Sequence, residues 1–232
     1  MRLGKRLEQL KSMVDSGYDH IWDCCCDHGL LGAALLAECA APNVHFVDIV
    51  PELMQQLEQK LKRFFPREDA SQNHSQWHVY CEDISNLQPQ ELGGKHLMII
   101  AGVGGNLVSE FVKNILTKNP TTEIDFLLCP TLHQYTLRQQ LIALNLRLKS
   151  EVLIADKNRY YEILLVTRSK NGESHISPVG ENIWQADTPE QAKIAAAYLR
   201  KTLAHYRRAG LNDQLDVQQI IHAYSNLNIS LV

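Results

Sequence analysis

The first two thirds of the chain alternate between short apolar runs and longer segments in which apolar residues recur at helical spacing. In the first helical segment, Leu3, Leu7, Leu10 and Val14 fall on one face. The predicted strands are 18–24, 44–48, 76–81, 95–101 and 124–129, and the predicted helices are 2–14, 30–39, 51–65, a helix beginning after Gly105, and 133–144. This serial alternation predicts a mostly parallel sheet with helices on both faces.

The pattern changes at residue 146, where two apolar runs, 146–155 and 160–168, are separated only by four polar residues. A connection this short cannot carry a crossover between parallel strands, so the runs are predicted to form an antiparallel hairpin. The predicted fold class is α/β and Rossmann-like, with a mostly parallel seven-stranded sheet that ends in this hairpin. The arrangement resembles that of class I methyltransferases, whereas dinucleotide dehydrogenases keep the last strand parallel.

A polar segment follows the hairpin and is predicted to be a linker. Two helices are predicted beyond it, at 189–208 and 217–227, with Gly210 between them as a helix stop. The chain is therefore predicted to consist of two parts. Residues 1–170 form a Rossmann-like domain with an N-terminal helix, and residues 171–232 form a small C-terminal helical appendage.

Composition is that of an ordinary soluble globular protein, with 232 residues, 45% of them hydrophobic and 21% charged. No apolar run approaches the ~20 residues of a membrane span, and the N-terminus has no apolar signal core, so a cytoplasmic location without membrane contact is expected. The six cysteines, three of them consecutive, are expected to be reduced, buried thiols. The formal net charge of −3 gives no global electrostatic case for nucleic-acid binding, which must then come from local basic patches.

The segment 23–29, with the sequence DCCCDHG, joins the first predicted strand to a helix, and Asp48 ends the second strand 25 positions after Asp23. Two strand-end acids with a tight turn between them form the skeleton of a nucleoside-binding α/β fold. The turn lets backbone N–H groups approach a ligand, and the Asp48 carboxylate can accept both hydroxyls of a ribose. Asp23 is expected either to contact the ligand or to cap the following helix.

The turn lacks the G-x-G-x-x-G pattern with which dinucleotide folds bring a pyrophosphate against bare backbone. Cys25 and Asp27 stand where that pattern has its first two glycines. A carboxylate at Asp27 would repel a pyrophosphate but would suit a cationic ligand, such as the ammonium and sulfonium groups of S-adenosylmethionine. The sequence therefore favours this methyl donor over NAD.

The three consecutive cysteines, with Asp27 and His28, also form a candidate metal site. Side chains at i, i+1 and i+2 point in different directions, however, and the chain has no C-x-x-C partner motif. We therefore expect no metal, and expect small thiols that fill a tight turn.

Further motifs follow the predicted strands. They are Leu3 and Arg6-Leu7 in the first helix, Asp27-His28-Gly29 after the first strand, 99–105 (IIAGVGG) after the fourth, Cys129-Pro130 after the fifth, and Tyr161-Glu162-Ile163 in the hairpin. With the C-terminal helix pair, they resemble the bacterial tRNA (adenine(22)-N1)-methyltransferases over nearly the whole chain. The most specific motif is Ala-Gly-x-Gly-Gly at 101–105, because adenine-N6 methyltransferases carry an acid/Asn-Pro-Pro-aromatic motif there. The chain departs from the family at Cys25, where glycine is usual.

The resemblance implies methyl transfer from S-adenosylmethionine to N1 of an adenine, with tRNA as the partner. It implies a catalytic role for Asp27, whose carboxylate would assist near the exocyclic amine. The implied cofactor-binding residues include the strand-end acids Asp23 and Asp48. The full set is Asp23, Cys25, His28, Gly29, Asp48, Ile49, Asp83, Ile84, Ala101, Gly102, Gly104 and Gly105. The implied substrate-binding residues are Arg6, Cys129, Pro130, Tyr161, Arg207 and Arg208.

Several alternatives stay open. Asp83 is either the acid that binds the adenine amino group or a plain surface acid. The basic residues of the C-terminal helices either contact RNA phosphates or are only a solvated face. In the second case, these helices serve only to cover the core with their apolar face. At the level of function, the alternatives are a methyltransferase of the same fold that acts on a small molecule or protein, and a non-catalytic adenosine-binding module.

Overall fold

The computed structural model describes residues 3–66, 75–169, 174–209 and 215–231. Its strands are β1 (His20–Cys24), β2 (Asn43–Asp48), β3 (Gln76–Cys81), β4 (Lys95–Ala101), β5 (Glu123–Cys129), β6 (Arg147–Asp156), β7 (Arg159–Thr167), β8 (Gln185–Ala186) and β9 (Ser230–Leu231). Its helices are α1 (Lys5–Ser12), α2 (Leu30–Ala37), α3 (Pro51–Phe64), α4 (Gly105–Lys118), α5 (Gln134–Ala143), α6 (Pro189–Ala209) and α7 (Leu215–Ser225).

The main sheet has seven strands in the order β3-β2-β1-β4-β5-β7-β6. The strands from β3 to β5 pair in parallel, and β7 is antiparallel to both β5 and β6. The prediction of a mostly parallel seven-stranded sheet that ends in an antiparallel hairpin is confirmed. Chain order reverses between β1 and β4, and ligands of open α/β sheets bind at the carboxyl ends of the strands at such a point.

Alternate residues of the central strands pack on opposite faces of the sheet. Met98 and Ile100 of β4 belong to one buried cluster with Val108 and Val112 of α4, whereas Ile99 belongs to a second cluster with residues of α1 and α2. Because both faces are covered, these strands are nearly continuous apolar runs in the sequence.

The structure differs from the prediction in several details. The helix predicted over 2–14 covers only Lys5–Ser12, and residue 2 lies outside the described residues. The two-residue strands β8 and β9, which pair in parallel, were not predicted because strands this short carry no alternation. The expectation that all cysteines are buried is wrong for Cys39 and Cys81, which are exposed. Cys39 follows the end of α2, and Cys81 ends the edge strand β3.

The C-terminal helices have a small core of their own. Val179, Trp184, Ala195, Tyr198 and Tyr224 form a buried cluster, and side chains of the β6–β7 hairpin pack against it. The predicted helical appendage is therefore present, and it lies against the antiparallel end of the sheet. The predicted boundary at residue 170 falls outside the described residues and stays a prediction.

A buried ionic cluster fixes this contact. Arg138 of α5 donates to Glu162 of β7 over 2.8 Å and to Glu151 of β6 over 2.6 Å, and all three side chains are buried. Tyr198 of α6 donates its hydroxyl to Glu162 over 2.6 Å, and the backbone N–H of Glu181 donates to Glu151 over 2.7 Å. Removing one member of such a cluster leaves an uncompensated buried charge, so the cluster holds α5, α6 and the hairpin in one arrangement.

Four histidines stack across the strands near their amino ends. The ring of His20 stacks on His96 at 4.7 Å between centroids, and His45 stacks on Trp22 at 3.9 Å and on His78 at 4.8 Å. Burial and the neighbouring imidazoles lower the pKa of His45 to about 2. Burial, with the charge of His20, also lowers the pKa of His96 to about 4. Both imidazoles are therefore neutral in the folded protein near neutral pH.

Acid is expected to destabilise the fold through this cluster. Histidines of the unfolded chain take up protons below a pKa of about 6.5, whereas the folded His45 and His96 do not, so the free energy of unfolding decreases as pH falls from there towards 4. Together the two contribute up to about 2.7 kcal/mol per pH unit. Asp23, whose pKa burial raises to about 7, acts in the opposite direction by at most one proton. Urea unfolding between about pH 7.5 and about pH 5 measures the slope.

The matched variants are His96→Gln and His205→Gln. A glutamine at position 96 keeps an acceptor for Trp22, whose Nε1 donates to His96 over 3.1 Å. It is expected to reduce the pH dependence of the free energy of unfolding by the contribution of about one proton. His205 is exposed on α6, and its replacement is expected to change little. A free energy of unfolding that does not vary over this pH range would contradict the prediction.

Candidate cofactor and substrate site

The candidate site lies at the carboxyl ends of β1, β2 and β4. Cys24, the last residue of β1, pairs with Val47 on one side and Ile100 on the other. The next residues, Cys25, Asp48 and Ala101, therefore begin the same edge of the sheet. The predicted cofactor residues from these three strands are brought together, as parallel pairing requires.

The loop after β1 is left-handed at alternate residues. Cys25 has φ 55°, Asp27 has φ 51° and Gly29 has φ 68°. Cys25 and Asp27 stand where a dinucleotide fingerprint has glycine. Both therefore adopt a left-handed backbone conformation that is normally found at glycine. The cost for a residue such as cysteine is about 1–2 kcal/mol, and the surrounding structure must compensate for it. A Cβ at Gly29 would lie 2.6 Å from a terminal methyl of the buried Leu57, so a side chain there would require Leu57 to shift.

Asp48 supplies part of that compensation. Its Oδ2 accepts the backbone N–H of Asp27 over 3.0 Å, and its Oδ1 accepts that of Val50 over 3.2 Å. Asp48 is only partly buried, and each carboxylate oxygen has a further lone pair. The side chain can therefore hold the loop and still accept the hydroxyls of a ribose.

Asp23 is buried beneath the loop. Its Oδ2 accepts the backbone N–H of Gly32, in the first turn of α2, over 2.8 Å. Burial raises the pKa of Asp23 to about 7, the Gly32 hydrogen bond acts against this, and the charge of Asp48 adds to it. The helix-capping alternative thus has a direct structural basis, and contact with the cofactor stays a prediction. Gly32 is not among the predicted site residues, although a second glycine three residues after Gly29 indicates a close approach of backbone in this turn.

The edge is negatively charged. Burial, followed by the charges of Asp48, Asp23 and Asp83, raises the pKa of the Cys25 thiol to about 12. Three carboxylates therefore lie close enough to act on one side chain. Such an edge favours a cation and opposes a pyrophosphate, which agrees with the sequence-based preference for a sulfonium ligand.

Asp27 and His28 lie at the rim. Both side chains are more than half exposed, and Asp27 Oδ1 is 3.6 Å from His28 Nε2. Asp48 fixes the backbone of Asp27 by a hydrogen bond, whereas the carboxylate of Asp27 is exposed to solvent. The catalytic role of Asp27 and the cofactor-binding role of His28 stay predictions.

The remaining cofactor candidates differ in burial. Asp83 is exposed, and its Oδ1 accepts the backbone N–H of Ser85 over 2.7 Å, where it caps a short 3₁₀ turn. Ile84 is buried in the core with Cys24, whereas Ile49 is 66% exposed. Ile49 thus has an apolar surface available to a flat ligand, and the side chain of Ile84 lies in the core.

Two of the three glycines after β4 are required by the local structure, and the third is not. Gly102 has φ 90°, a conformation that favours glycine. At Gly105 a Cβ would lie 2.5 Å from the carbonyl oxygen of His133. Gly104 has an ordinary backbone, φ −74° and ψ 152°, and a Cβ there would meet no atom within 4 Å. Neither conformation nor packing explains Gly104, which faces open space at the site.

The substrate candidates from three elements also meet. The guanidinium of Arg6, on α1, lies over the ring of Tyr161, on β7, at 5.3 Å. It is also close to Gly102, where a Cβ would lie 3.8 Å from an Arg6 nitrogen. Burial raises the pKa of Cys129 to about 12, and the nearby charge of Arg6 acts against it. Pro130 follows directly and is buried.

Arg207 and Arg208 are not part of this group. They are exposed in the last turn of α6. Tyr198 of α6 bonds to Glu162, and one turn later Lys201 lies over the ring of Tyr160 at 5.5 Å. The middle of α6 therefore packs against the β6–β7 hairpin.

The strand order, the antiparallel β7 and the edge lined with acids and glycines define a protein of the Rossmann-like methyltransferase class. Residues 3–164 match the model of a family described as a methyltransferase domain. This match covers more than half of the chain, so the protein belongs to the methyltransferase-domain family. A comparison with curated protein sequences finds no match.

Solved structures share the fold over nearly the whole chain. Sp1610 of Streptococcus pneumoniae, in complex with S-adenosyl-L-methionine, has 18% identity and a TM-score of 0.73, covering 97% of this chain and 98% of that chain. TrmK of M. capricolum, in complex with the cofactor product S-adenosyl-homocysteine, has 18% identity, a TM-score of 0.73 and 97% coverage of both chains. TrmK of B. subtilis, an M1A22 tRNA methyltransferase, has 18% identity and a TM-score of 0.68, covering 97% and 95%. At these identities the likeness establishes the fold.

The described residues contain neither a membrane-spanning helix nor a metal-binding cluster. None of the helices there has the length and apolar character to cross a membrane. No group of three or more His, Cys, Asp or Glu side chains in the same residues could hold a metal ion.

Replacement of Cys25 by glycine tests the strained loop. Cys25→Gly removes a left-handed cysteine, which costs about 1–2 kcal/mol, and adds unfolded-state entropy of similar size. We expect the free energy of unfolding to change by less than about 1 kcal/mol. Cys81→Gly, at the end of β3, gains no relief of this kind and is expected to lose about 0.5–1 kcal/mol. Urea unfolding compares the two, and a larger loss for Cys25→Gly than for Cys81→Gly would contradict the interpretation.

Proposed function

We propose that the protein is an S-adenosylmethionine-dependent methyltransferase that acts on N1 of an adenine in tRNA. The observation that carries the proposal is the open face of Gly104 between the acid-lined loop after β1 and the Arg6–Tyr161 pair. A flat base can approach the backbone there, beside an edge that suits a cationic methyl donor.

The cofactor part of the proposal rests on the acids of the edge. Asp48 is the proposed acceptor of the ribose hydroxyls, and its charge and that of Asp83 act on Cys25 beside the buried Asp23. Ile49, exposed next to Asp48, offers an apolar surface for the adenine ring. The solved neighbours with bound S-adenosyl-L-methionine or S-adenosyl-homocysteine support this assignment.

The chemistry requires little from protein bases. Bound S-adenosylmethionine supplies an electrophilic methyl group. Adenine N1 is largely unprotonated at neutral pH and has an in-plane lone pair, so the residues of the site need only orient the base and exclude water. Asp27 is the proposed catalytic residue, because a carboxylate beside the exocyclic amine stabilises the positive charge that develops on the base. Its exposure at the rim leaves it accessible to such a base.

The RNA part of the proposal rests on two further features. N1 lies on the Watson–Crick edge, so the target adenine must be unpaired or extruded to reach the backbone at Gly104. The chain has a formal charge of −3, and its local basic surface is concentrated on α6, at Lys193, Arg200, Lys201, Arg207 and Arg208. The likeness to tRNA methyltransferases, which includes the C-terminal region of the chain, supports tRNA as the substrate.

The alternative is a methyltransferase of the same fold that acts on a small molecule or a protein. The negative formal charge favours it, because it weakens any general attraction to RNA. A non-catalytic adenosine-binding module is the second alternative, and the cysteine at position 25 in place of glycine favours it.

A single assay separates these functions. The protein is incubated with methyl-labelled S-adenosylmethionine and total tRNA, and the RNA is then digested to nucleosides. The proposal expects label in 1-methyladenosine. Label in another RNA nucleoside, in a small molecule or in protein, or in nothing, would overturn it in favour of a different substrate or of the binding module.

Gly104→Ala tests the open face. An alanine at this position fits the backbone and meets no atom of the protein, so the melting temperature is expected to be unchanged or slightly higher. A methyl group between the backbone and the base is expected to lower kcat/KM by about tenfold or more, a loss of about 1.4 kcal/mol of transition-state stabilisation.

Gly4→Ala is the matched control for this variant. Gly4 precedes α1 with φ −73° and ψ 161°, and a Cβ there would make an ordinary 3.5 Å contact with Asp156. Its activity is expected to stay within about twofold of wild type. Full activity of Gly104→Ala would remove Gly104 from the site.

Charge reversal tests the tRNA surface. Replacement of both Arg207 and Arg208 by Glu is expected to weaken tRNA binding by about tenfold or more and to reduce its salt dependence, because phosphate contacts release counterions. The control, Lys60→Glu with Lys113→Glu, changes the net charge equally at exposed positions of α3 and α4. Filter binding over a range of salt concentrations measures both. Equal affinities for the two variants would move the tRNA surface away from α6.

A further inference from the structure

The loop after β5 carries an exposed apolar side chain at the edge of the site. Leu132 is 60% exposed, and Leu107, in the first turn of α4, is 41% exposed. Single exposed leucines are common on protein surfaces and need no explanation by themselves. The position of Leu132 is unusual because its loop is fixed directly to the open glycine turn.

Two backbone hydrogen bonds make this connection. The N–H of Thr131 donates to the carbonyl of Val103 over 2.9 Å, and the N–H of Gly105 donates to the carbonyl of Leu132 over 2.8 Å. The two loops are so close that a Cβ at Gly105 would overlap the carbonyl of His133. Leu132 is therefore held in a defined position beside Gly104.

The residue after Leu132 is strained. His133 has φ 60°, a left-handed conformation that is uncommon for residues other than glycine, and it is the N-cap residue of α5. Strained backbone of this kind persists when the surrounding structure holds it, and it is concentrated at functional sites. Here it lies at the junction between the loop that carries Leu132 and the start of α5.

We propose that Leu132 is a wedge that enters the base stack of the RNA next to the target adenine and fills the space that the extruded base leaves. This inference rests on the proposed function, because it takes RNA as the substrate. An extruded base costs unstacking free energy, and apolar side chains such as leucine are inserted between bases where proteins distort a stacked nucleic acid. An exposed apolar side chain on a loop whose backbone is bonded to the glycine turn meets this requirement.

The test compares a folded substrate with an unstructured one. Leu132→Ala is assayed for methylation of whole tRNA and of a short single-stranded RNA that contains the same adenine. On tRNA, kcat/KM is expected to fall by about tenfold or more, because the stack must be opened. On the single strand it is expected to change by less than about twofold, because no stack has to be opened there. Affinity for S-adenosylmethionine, measured by calorimetry, is expected to be unchanged.

A second measurement follows extrusion without catalysis. A tRNA with 2-aminopurine in place of the methylated adenine is expected to brighten when the wild-type protein binds and to brighten much less with Leu132→Ala. The control is Leu92→Ala, which removes an exposed leucine from the turn that precedes β4 and is expected to behave as wild type.

The outcomes separate this inference from the proposed function. If the wild-type protein methylates neither RNA, the proposed function fails. If the wild type methylates tRNA and Leu132→Ala has the same activity and fluorescence, the wedge is wrong. Equal losses on tRNA and on the single strand would also overturn it, because Leu132 would then contact the target base itself.

Discussion

Two carboxylates, Asp48 and Asp23, hold the loop after β1, and the rest of the site depends on them. Asp48 accepts the backbone N–H of Asp27, and Asp23 accepts that of Gly32, so the loop is fixed at its middle and at the start of α2. These bonds compensate for the left-handed conformation of Cys25. The charge of Asp48 also helps to make the edge negative, so one residue both shapes the loop and favours a cationic ligand.

The other half of the site is built by contacts between distant elements. Arg6 of α1 meets Tyr161 of β7 beside Gly102, and the next residue of β7, Glu162, is bonded to Arg138 and Tyr198 in the buried cluster. Glu162, which Tyr198 of α6 bonds, is thus the sequence neighbour of Tyr161 on the predicted substrate side of the site. The C-terminal helices are in this sense part of the framework of the site as well as a candidate RNA surface.

The proposed reaction needs no strong general base, and the site has few buried side chains that could serve as one. Methyl transfer to adenine N1 requires orientation and exclusion of water more than proton removal. In the proposed function, the open face at Gly104, the loop that carries Leu132 and the exposed Asp27 would present the base and respond to its charge. The buried Asp23, whose pKa is raised to about 7, is occupied by the backbone of Gly32 and serves the loop.

The sequence by itself determined the strands, the antiparallel hairpin and the preference for a cationic cofactor, because alternation, turn length and the residues of one loop are local properties. Local patterns were insufficient in three places. The helix predicted over 2–14 is shorter in the structure, β8 and β9 were not predicted, and Cys39 and Cys81 were expected to be buried but are exposed. Only the tertiary structure decided that Asp23 holds Gly32, that Arg6 meets Tyr161 and that Leu132 stands beside Gly104. Contacts between residues far apart in the chain are set by the packing of the whole core, which no local periodicity contains.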